Sequence, residues 1–266
     1  MIRKAGDRSN WKVKLLLYGC SDSGKTYCSS RLSEKFRTII LDIEGGEISA
    51  PPELPYGEFS DAVELLKMEN AEKYPSAMIK IATWEEFETM LGYLRRQQGR
   101  YDVVVVDSVT EAQKRCIDHV KAIPKGLTVI QNLDALSLQG WGSLGEKFRF
   151  LIRGYRDLPC HVVFTAMEVN FQDEENGIIR WMPLLDGKKS PFELVGWMDI
   201  VGHAIKRERR TNEGRVVERI FRFHSNGREE AKVRGGLLDE EVPADLVKVF
   251  EKLLGGEDND KGKVVQ

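Results

Sequence analysis

The sequence predicts an α/β fold with a mainly parallel sheet flanked by helices, and three observations predict it. Gly19-Cys20-Ser21-Asp22-Ser23-Gly24-Lys25-Thr26 lies between an apolar run of strand length, residues 13–18, and a stretch that can run as a helix, residues 27–36. Residues 101–108 hold four consecutive valines ending in Asp107, and such a run suits a strand buried on both faces, as in a parallel sheet. Strand-length apolar runs alternate with helix-length amphipathic segments along the chain, the pattern of stacked strand–helix units.

The octet is G-x-x-x-x-G-K-[ST], the phosphate-binding P-loop. Its glycines let backbone N–H groups close around phosphate oxygens, and the helix behind it adds positive potential. Gly19, Ser21, Asp22, Ser23, Gly24, Lys25, Thr26 and Tyr27 are the expected nucleotide-binding residues. Lys25 is placed to reach the β- and γ-phosphates of ATP, and the Thr26 hydroxyl to ligate Mg²⁺.

The next strand is expected at 38–42, followed by Ile43-Glu44-Gly45-Gly46, and the prolines of 51–55 mark a surface excursion. Thr83-Trp84-Glu85-Glu86 is a capping box opening a helix with Trp84, Phe87, Leu91 and Leu94 on one side. A helix over 109–120 follows the valine strand, then a loop over 121–142. An amphipathic helix over 143–157 carries Phe148, Leu151, Ile152 and Tyr155, and a buried strand follows at 160–166. Asn176-Gly177 between strand-like flanks signals a hairpin within 168–181. Residues 200–206 and 216–224 read as antiparallel strands at the C-terminal end of the sheet. A last helix is expected over 243–254, with Pro243 in its first turn and Gly255-Gly256 behind it. The reading is one ATPase-type domain over 1–254 and a polar, flexible tail over 255–266.

Composition excludes several classes. The chain has 266 residues, 41% hydrophobic and 31% charged, and no apolar run long enough to span a membrane. No secretory leader pattern follows Met1-Ile2-Arg3-Lys4. The four cysteines form no C-x-x-C pair, so neither zinc nor a disulfide framework is indicated, and a reducing cytoplasm fits. The net charge is −2, yet residues 206–234 hold ten Lys/Arg against five Glu, which suggests a basic face on an otherwise acidic protein.

Two acidic positions sharpen the chemistry. Asp107 ends the valine strand, where a Walker B carboxylate holds Mg²⁺ and its water, although a strand-end Asp can also cap the next helix. Glu44 lies just past the second strand, where a carboxylate can orient the water attacking the γ-phosphate, or simply occupy a solvated turn. No Asn-Lys-x-Asp motif for guanine is present, so ATP is favoured over GTP. The Arg-rich region is late and strand-like, which fits a phosphotransferase lid poorly. Two alternatives stay open: a P-loop phosphotransferase acting on a small molecule, and a nucleotide-gated assembly or loading protein with slow hydrolysis.

The P-loop, then Leu41-Asp42-Ile43-Glu44, then Val105-Val106-Asp107-Ser108-Val109, resembles the RecA-type ATPase core. Trp141-Gly142 leading into the 143–157 helix, followed by Leu158-Pro159-Cys160-His161-Val162-Val163-Phe164-Thr165-Ala166, is similar to phage-encoded, core-only RecA-like recombinases of the Sak group. The resemblance covers roughly residues 11–235. It implies a Mg²⁺-dependent ATPase with Glu44 as catalytic base. It further implies binding of single-stranded DNA and assistance to homologous recombination or strand annealing. Lys232-Val233-Arg234 resembles the K-x-R finger that a neighbouring subunit supplies, and a solvated basic edge strand is the plainer reading. The family's DNA loops correspond to 121–142 and 168–190, the second carrying Phe171, Trp181, Lys188 and Lys189, aromatics and cations suited to unpaired bases and phosphates. Expected partners are single-stranded DNA, further copies of the chain in a ring or filament, and a single-strand-binding protein, with no membrane. The family's Gln sensor is absent, since the matching positions read Thr165-Ala166-Met167-Glu168.

Overall fold

In the computed structural model, which describes residues 10–122, 138–172, 177, 179–211 and 214–255, the apolar run before the P-loop is strand β1 (Lys14–Gly19). It leads into helix α1 (Lys25–Ser30). Then follow β2 (Thr38–Asp42), β3 (Tyr56–Gly57), α2 (Phe59–Leu66), β4 (Ala77–Lys80), α3 (Trp84–Arg96), β5 (Val103–Asp107) and α4 (Val109–Ala122). The second half comprises α5 (Leu138–Arg156), β6 (His161–Gln172), β7 (Ile179–Pro183), α6 (Ser190–Trp197), β8 (Ile200–Thr211), β9 (Gly214–Arg222), β10 (Lys232–Val233), β11 (Glu241–Pro243) and α7 (Leu246–Leu254).

The strands form one sheet in the order β11-β9-β8-β1-β6-β5-β2-β4-β3, with β10 also on β8 and β7 on β6. From β8 to β3 every neighbouring pair is parallel, while β9, β10, β11 and β7 join antiparallel. The architecture is therefore the expected mainly parallel α/β core with antiparallel strands at the C-terminal end. Parallel pairing brings the carboxyl ends of β1, β2, β5 and β8 to one edge, and ligands bind at that edge of open α/β sheets.

The valine run shows why a parallel strand reads as continuously apolar. Val104 and Val106 pack with Leu16, Tyr18, Leu41 and Phe164 under α3, α4 and α5. Val103 and Val105 point the other way, packing with Leu15, Leu17, Ile40 and Val163 against Leu32 and α7. Successive strand side chains face opposite sides, and both sides are covered by helices. Thr83 caps α3 as expected, accepting from the Glu86 N–H at 3.2 Å while Glu86 reaches back to the Thr83 N–H.

One polar contact in this core has a pH consequence. His161 is buried at the start of β6, and its Nδ1 accepts the Val13 N–H at 3.0 Å. Burial, with Lys12 and Lys14 nearby, pushes its pKa down to about 4. In the unfolded chain it titrates near 6.5. Below about pH 6.5 the unfolded state thus takes up a proton that the folded state refuses, so stability is lost as pH falls towards about 4. We expect the urea midpoint to drop between pH 7 and pH 4.5, and to drop less in His161→Gln. Equal slopes in the two proteins would show that His161 is not the group responsible.

Several elements differ from the sequence reading. The helix after the P-loop is short: α1 gives way to a 3₁₀ turn over Arg31–Glu34. Ser29, Ser30 and Ser33 each donate to the carbonyl three residues earlier, at 3.2, 3.0 and 2.7 Å, and such bonds compete with regular helix. Strand β4 was not expected, because four residues give no period to read. Its Ala77, Met78 and Ile79 are buried by tertiary neighbours instead. Trp141-Gly142 lies inside α5 rather than in a loop. Strands β6 and β8 run well past their expected ends. Pro243 is not in the last helix: it ends β11, opposite Ile220, and Asp245 caps α7 by accepting the Lys248 N–H at 3.2 Å. Asn176 of the predicted hairpin turn, residues 123–137 of the first predicted DNA loop and residues 256–266 of the predicted tail lie outside the described residues.

Candidate nucleotide site

The P-loop follows the carboxyl end of β1 and wraps a cleft of about 920 Å³, within the roughly 300–1,000 Å³ usual for small-molecule sites. Gly24 sits at φ 89° and Asp22 at φ 62°, left-handed positions of the kind from which anion-binding backbone nests are built. Gly19 has a different reason: a Cβ there would stand 2.3 Å from the Ala204 carbonyl oxygen of β8. Ser23 is buried and its hydroxyl donates to Cys20 O at 2.8 Å, while Ser21, Asp22 and Tyr27 are exposed.

Lys25 folds back over the loop. Its Nζ donates to Gly19 O at 3.0 Å and Cys20 O at 2.8 Å, and lies 3.8 Å from Met167 Sδ. Burial pushes the Lys25 pKa down, and the carboxylates of Glu44 and Asp107 oppose that shift. The Thr26 hydroxyl donates to Asp107 Oδ2 at 2.7 Å, so the expected P-loop and Walker B ligands meet across β1 and β5. Asp107 is fully buried at the end of β5. Burial pushes its pKa up to about 6, against hydrogen bonds from Thr165 and Thr26. Two adjacent hard oxygen donors beside a phosphate-binding loop fit Mg²⁺, which takes few protein ligands and completes its shell with phosphates and water.

Glu44 stands exposed on the rim of the same cleft. Its backbone N–H donates to Asp107 O at 3.2 Å. Asp42, which the sequence reading did not single out, holds the turn beyond it: Oδ1 accepts the Gly45 and Gly46 N–H groups at 2.8 and 2.9 Å. Lys25, Thr26, Asp107 and Glu44 are thus brought together.

Lys232 and Arg234 are not. Lys232 pairs with Val201, and Arg234 donates to Asp199 Oδ1 at 3.1 Å, at the amino end of β8. Asp199 bonds to Lys14, five residues before Gly19, so Arg234 is about 17 Å along β1 from its own P-loop at about 3.3 Å per residue. Phe171 is exposed on β6 and meets exposed Phe192 of α6 edge-to-face, with ring centroids 5.7 Å apart. Lys188 and Lys189 are exposed just before α6. Trp181 is half-buried, its ring 6.1 Å from that of His203.

The model of the AAA domain family matches residues 11–235. The chain belongs to the AAA domain family. It carries an AAA-type P-loop NTPase domain. Among curated proteins, none matches the sequence. Among the solved structures that resemble this AAA domain are the following three. The flagellar accessory protein FlaH of Methanocaldococcus jannaschii has TM-score 0.42 and 8% identity, covering 88% of this chain and 87% of that one. The RadB recombinase has TM-score 0.41 and 16% identity, covering 79% of each. The genome packaging NTPase B204 of Sulfolobus turreted icosahedral virus 2, solved with ATP-gammaS, has TM-score 0.39 and 11% identity, covering 74% and 76%.

Sequence reasoning missed part of the AAA domain's site. Arg219, Pro243 and Ala244 line the cleft from the far end of the chain, and Ile48 projects into solvent at its edge. The only signal was the positive charge of residues 206–234, which did not say which cation turns inward. The expected basic face is also largely paired: Arg207 and Arg222 bond Glu241, Arg209 faces Glu218, and Arg215 faces Glu208. At the positions where the RecA-type resemblance expects a Gln, Thr165 donates to Asp107, and Glu168 bonds His203 Nε2 at 2.7 Å. Among the described residues no helix is long and apolar enough to cross a membrane.

Proposed function

We propose that this AAA domain is a Mg²⁺-dependent ATPase, acting on single-stranded DNA in homologous recombination or strand annealing. The observation that carries the reading is the Thr26–Asp107 contact at the foot of the P-loop, with Glu44 on the rim. Lys25 and the loop N–H groups hold the triphosphate, and Glu44 orients and deprotonates the attacking water. Bound at Thr26 and Asp107, Mg²⁺ would neutralise charge on the β- and γ-phosphate oxygens. We place residues 1–254 in one ATPase domain, working in the cytoplasm of a host cell as a phage-type recombinase of the Sak group.

Exposed Phe171 and Phe192 beside Lys188 and Lys189 support the DNA part of the reading, because unpaired bases stack on aromatics while cations track phosphates. Trp181 belongs to the same hairpin. We further propose a ring or filament in which Lys232 and Arg234 enter a neighbour's site, with a single-strand-binding protein as an additional partner. Their placement away from their own P-loop supports action in trans.

One assay tests both parts. Phosphate release from Mg·ATP is expected to rise when single-stranded DNA is added. Arg234→Ala is expected to lose about 10³-fold or more in rate, the lower end for an added cation finger, with ATP binding retained. Mixing it with Lys25→Ala protein restores part of the rate, since each subunit then supplies what the other lacks. Turnover that requires a sugar or nucleoside acceptor instead would make the protein a phosphotransferase. ATP binding without turnover, with or without DNA, would make it a nucleotide-gated assembly factor.

A further inference from the structure

Two cations of the β8–β9 hairpin converge on the P-loop. Lys206 and Arg219 stand directly opposite each other in the antiparallel register, an arrangement of like charges that a sheet disfavours. Both are drawn to Asp22. Lys206 Nζ donates to Asp22 Oδ2 at 2.6 Å, and Arg219 Nη2 to Oδ1 at 2.8 Å. Arg219 Nε also donates to the Asp22 backbone carbonyl at 3.1 Å. Asp22 is the only non-glycine residue with positive φ among the described residues. The contacts therefore grip the loop at its turning point. Lys206 first, and then Arg219, hold the Asp22 carboxyl below its usual range.

The cluster carries one positive charge more than its single carboxylate neutralises. Arg219 uses Nε and Nη2 on Asp22, and its Nη1 has no partner among the described residues. Its stem lies over the loop, since a Cβ on Gly24 would meet Arg219 Cδ at 3.3 Å. The same wall of the cleft continues through Cys28, whose Sγ donates to Ala244 O at 3.2 Å, and Ala244, whose N–H donates to Arg219 O at 3.0 Å. Thr26, Asp107 and Glu44 mark the end that receives the terminal phosphates. The Cys28–Ala244–Arg219 wall lines the same cleft, and on the nucleotide reading it is the wall left for the α-phosphate and ribose.

We propose that Arg219 is a nucleotide-contact residue supplied by the chain's own β9, with its guanidinium set beside the α-phosphate and ribose by Asp22. The inference rests on the nucleotide reading above and adds a residue to it. Exposed ion pairs of this kind contribute little to folding, so the effect belongs to binding. The chemistry differs from a γ-phosphate finger: a cation at the α-phosphate serves ATP and ADP alike.

Calorimetric titration of ATP and ADP, each with Mg²⁺, tests this. Arg219→Ala is expected to raise Kd for both nucleotides by about tenfold, the scale of one charge-assisted hydrogen bond, leaving the ATP/ADP ratio unchanged. Arg219→Gln, which keeps the stem, is expected to do the same. Asp22→Asn keeps a residue that tolerates positive φ but loosens the hold on the guanidinium, and is expected to weaken both nucleotides by less than Arg219→Ala. Unchanged affinity in both Arg219 variants overturns the proposal. So does a loss for ATP alone, which would move Arg219 to the γ end. A loss in Asp22→Asn equal to that in Arg219→Ala also overturns it, because the ion pair would then act only by bracing the loop. Wild-type protein that takes neither nucleotide would instead remove the nucleotide reading itself.

Discussion

Lys25→Ala is expected to bind Mg·ATP about thirty- to several-thousand-fold more weakly than wild type, from the roughly 2–5 kcal/mol lost when one partner of a buried charge contact is removed. Lys25 is the one cation inside the P-loop, and its ammonium is buried, held by Gly19 O and Cys20 O at the mouth of the anion cradle. The rest of the loop does not depend on it: Ser23 still closes the turn on Cys20, and Asp22 is still held by Lys206 and Arg219. Folding should therefore survive, with the thermal midpoint near that of wild type while calorimetry shows the affinity gone. Wild-type affinity in this variant would mean that the cleft binds something other than a polyphosphate.

Glu44→Gln separates binding from chemistry. The amide keeps the size and hydrogen-bonding capacity of the side chain but cannot take a proton. Mg·ATP affinity should stay within a few-fold, and turnover should fall by about 10²–10⁴, the usual contribution of a positioned general base. The geometry supports this separation. Glu44 is exposed on the rim, while Thr26 and Asp107 at the foot of the loop stay intact. Unchanged turnover would return Glu44 to the role of a solvated turn residue, with the Asp42-braced Gly45-Gly46 turn as the feature being preserved.

The two sites of mutation were legible in the sequence because their physics is local. A P-loop needs its glycines, lysine and threonine at fixed spacing between a strand and a helix. A strand buried on both faces has no polar alternation, so Val103–Asp107 stands out. Parallel pairing then carries the prediction from element to site, since it brings the ends of β1, β2 and β5 together. What failed to show was non-local. Strand β4 is four residues long and owes its burial to β2 and β3. Arg219 reaches Asp22 from 197 residues away, and nothing around it distinguishes it from Arg215 or Arg222. Pro243 looked like a helix opener because proline suits a first helical turn, but pairing of β11 with β9 claims it and leaves the cap to Asp245. The serines after the P-loop were read as helix, where their hydroxyls instead bond back to carbonyls and end it.

The central claim is that Thr26, Asp107, Lys25 and Glu44 form one metal-dependent ATP-hydrolysing site. The most direct test is steady-state phosphate release from ATP by the wild-type protein, measured with Mg²⁺ and again after chelation. The account predicts saturable release that disappears on chelation and returns when Mg²⁺ is restored. Release that is indifferent to chelation, or no release from a folded protein that binds Mg·ATP, would contradict it.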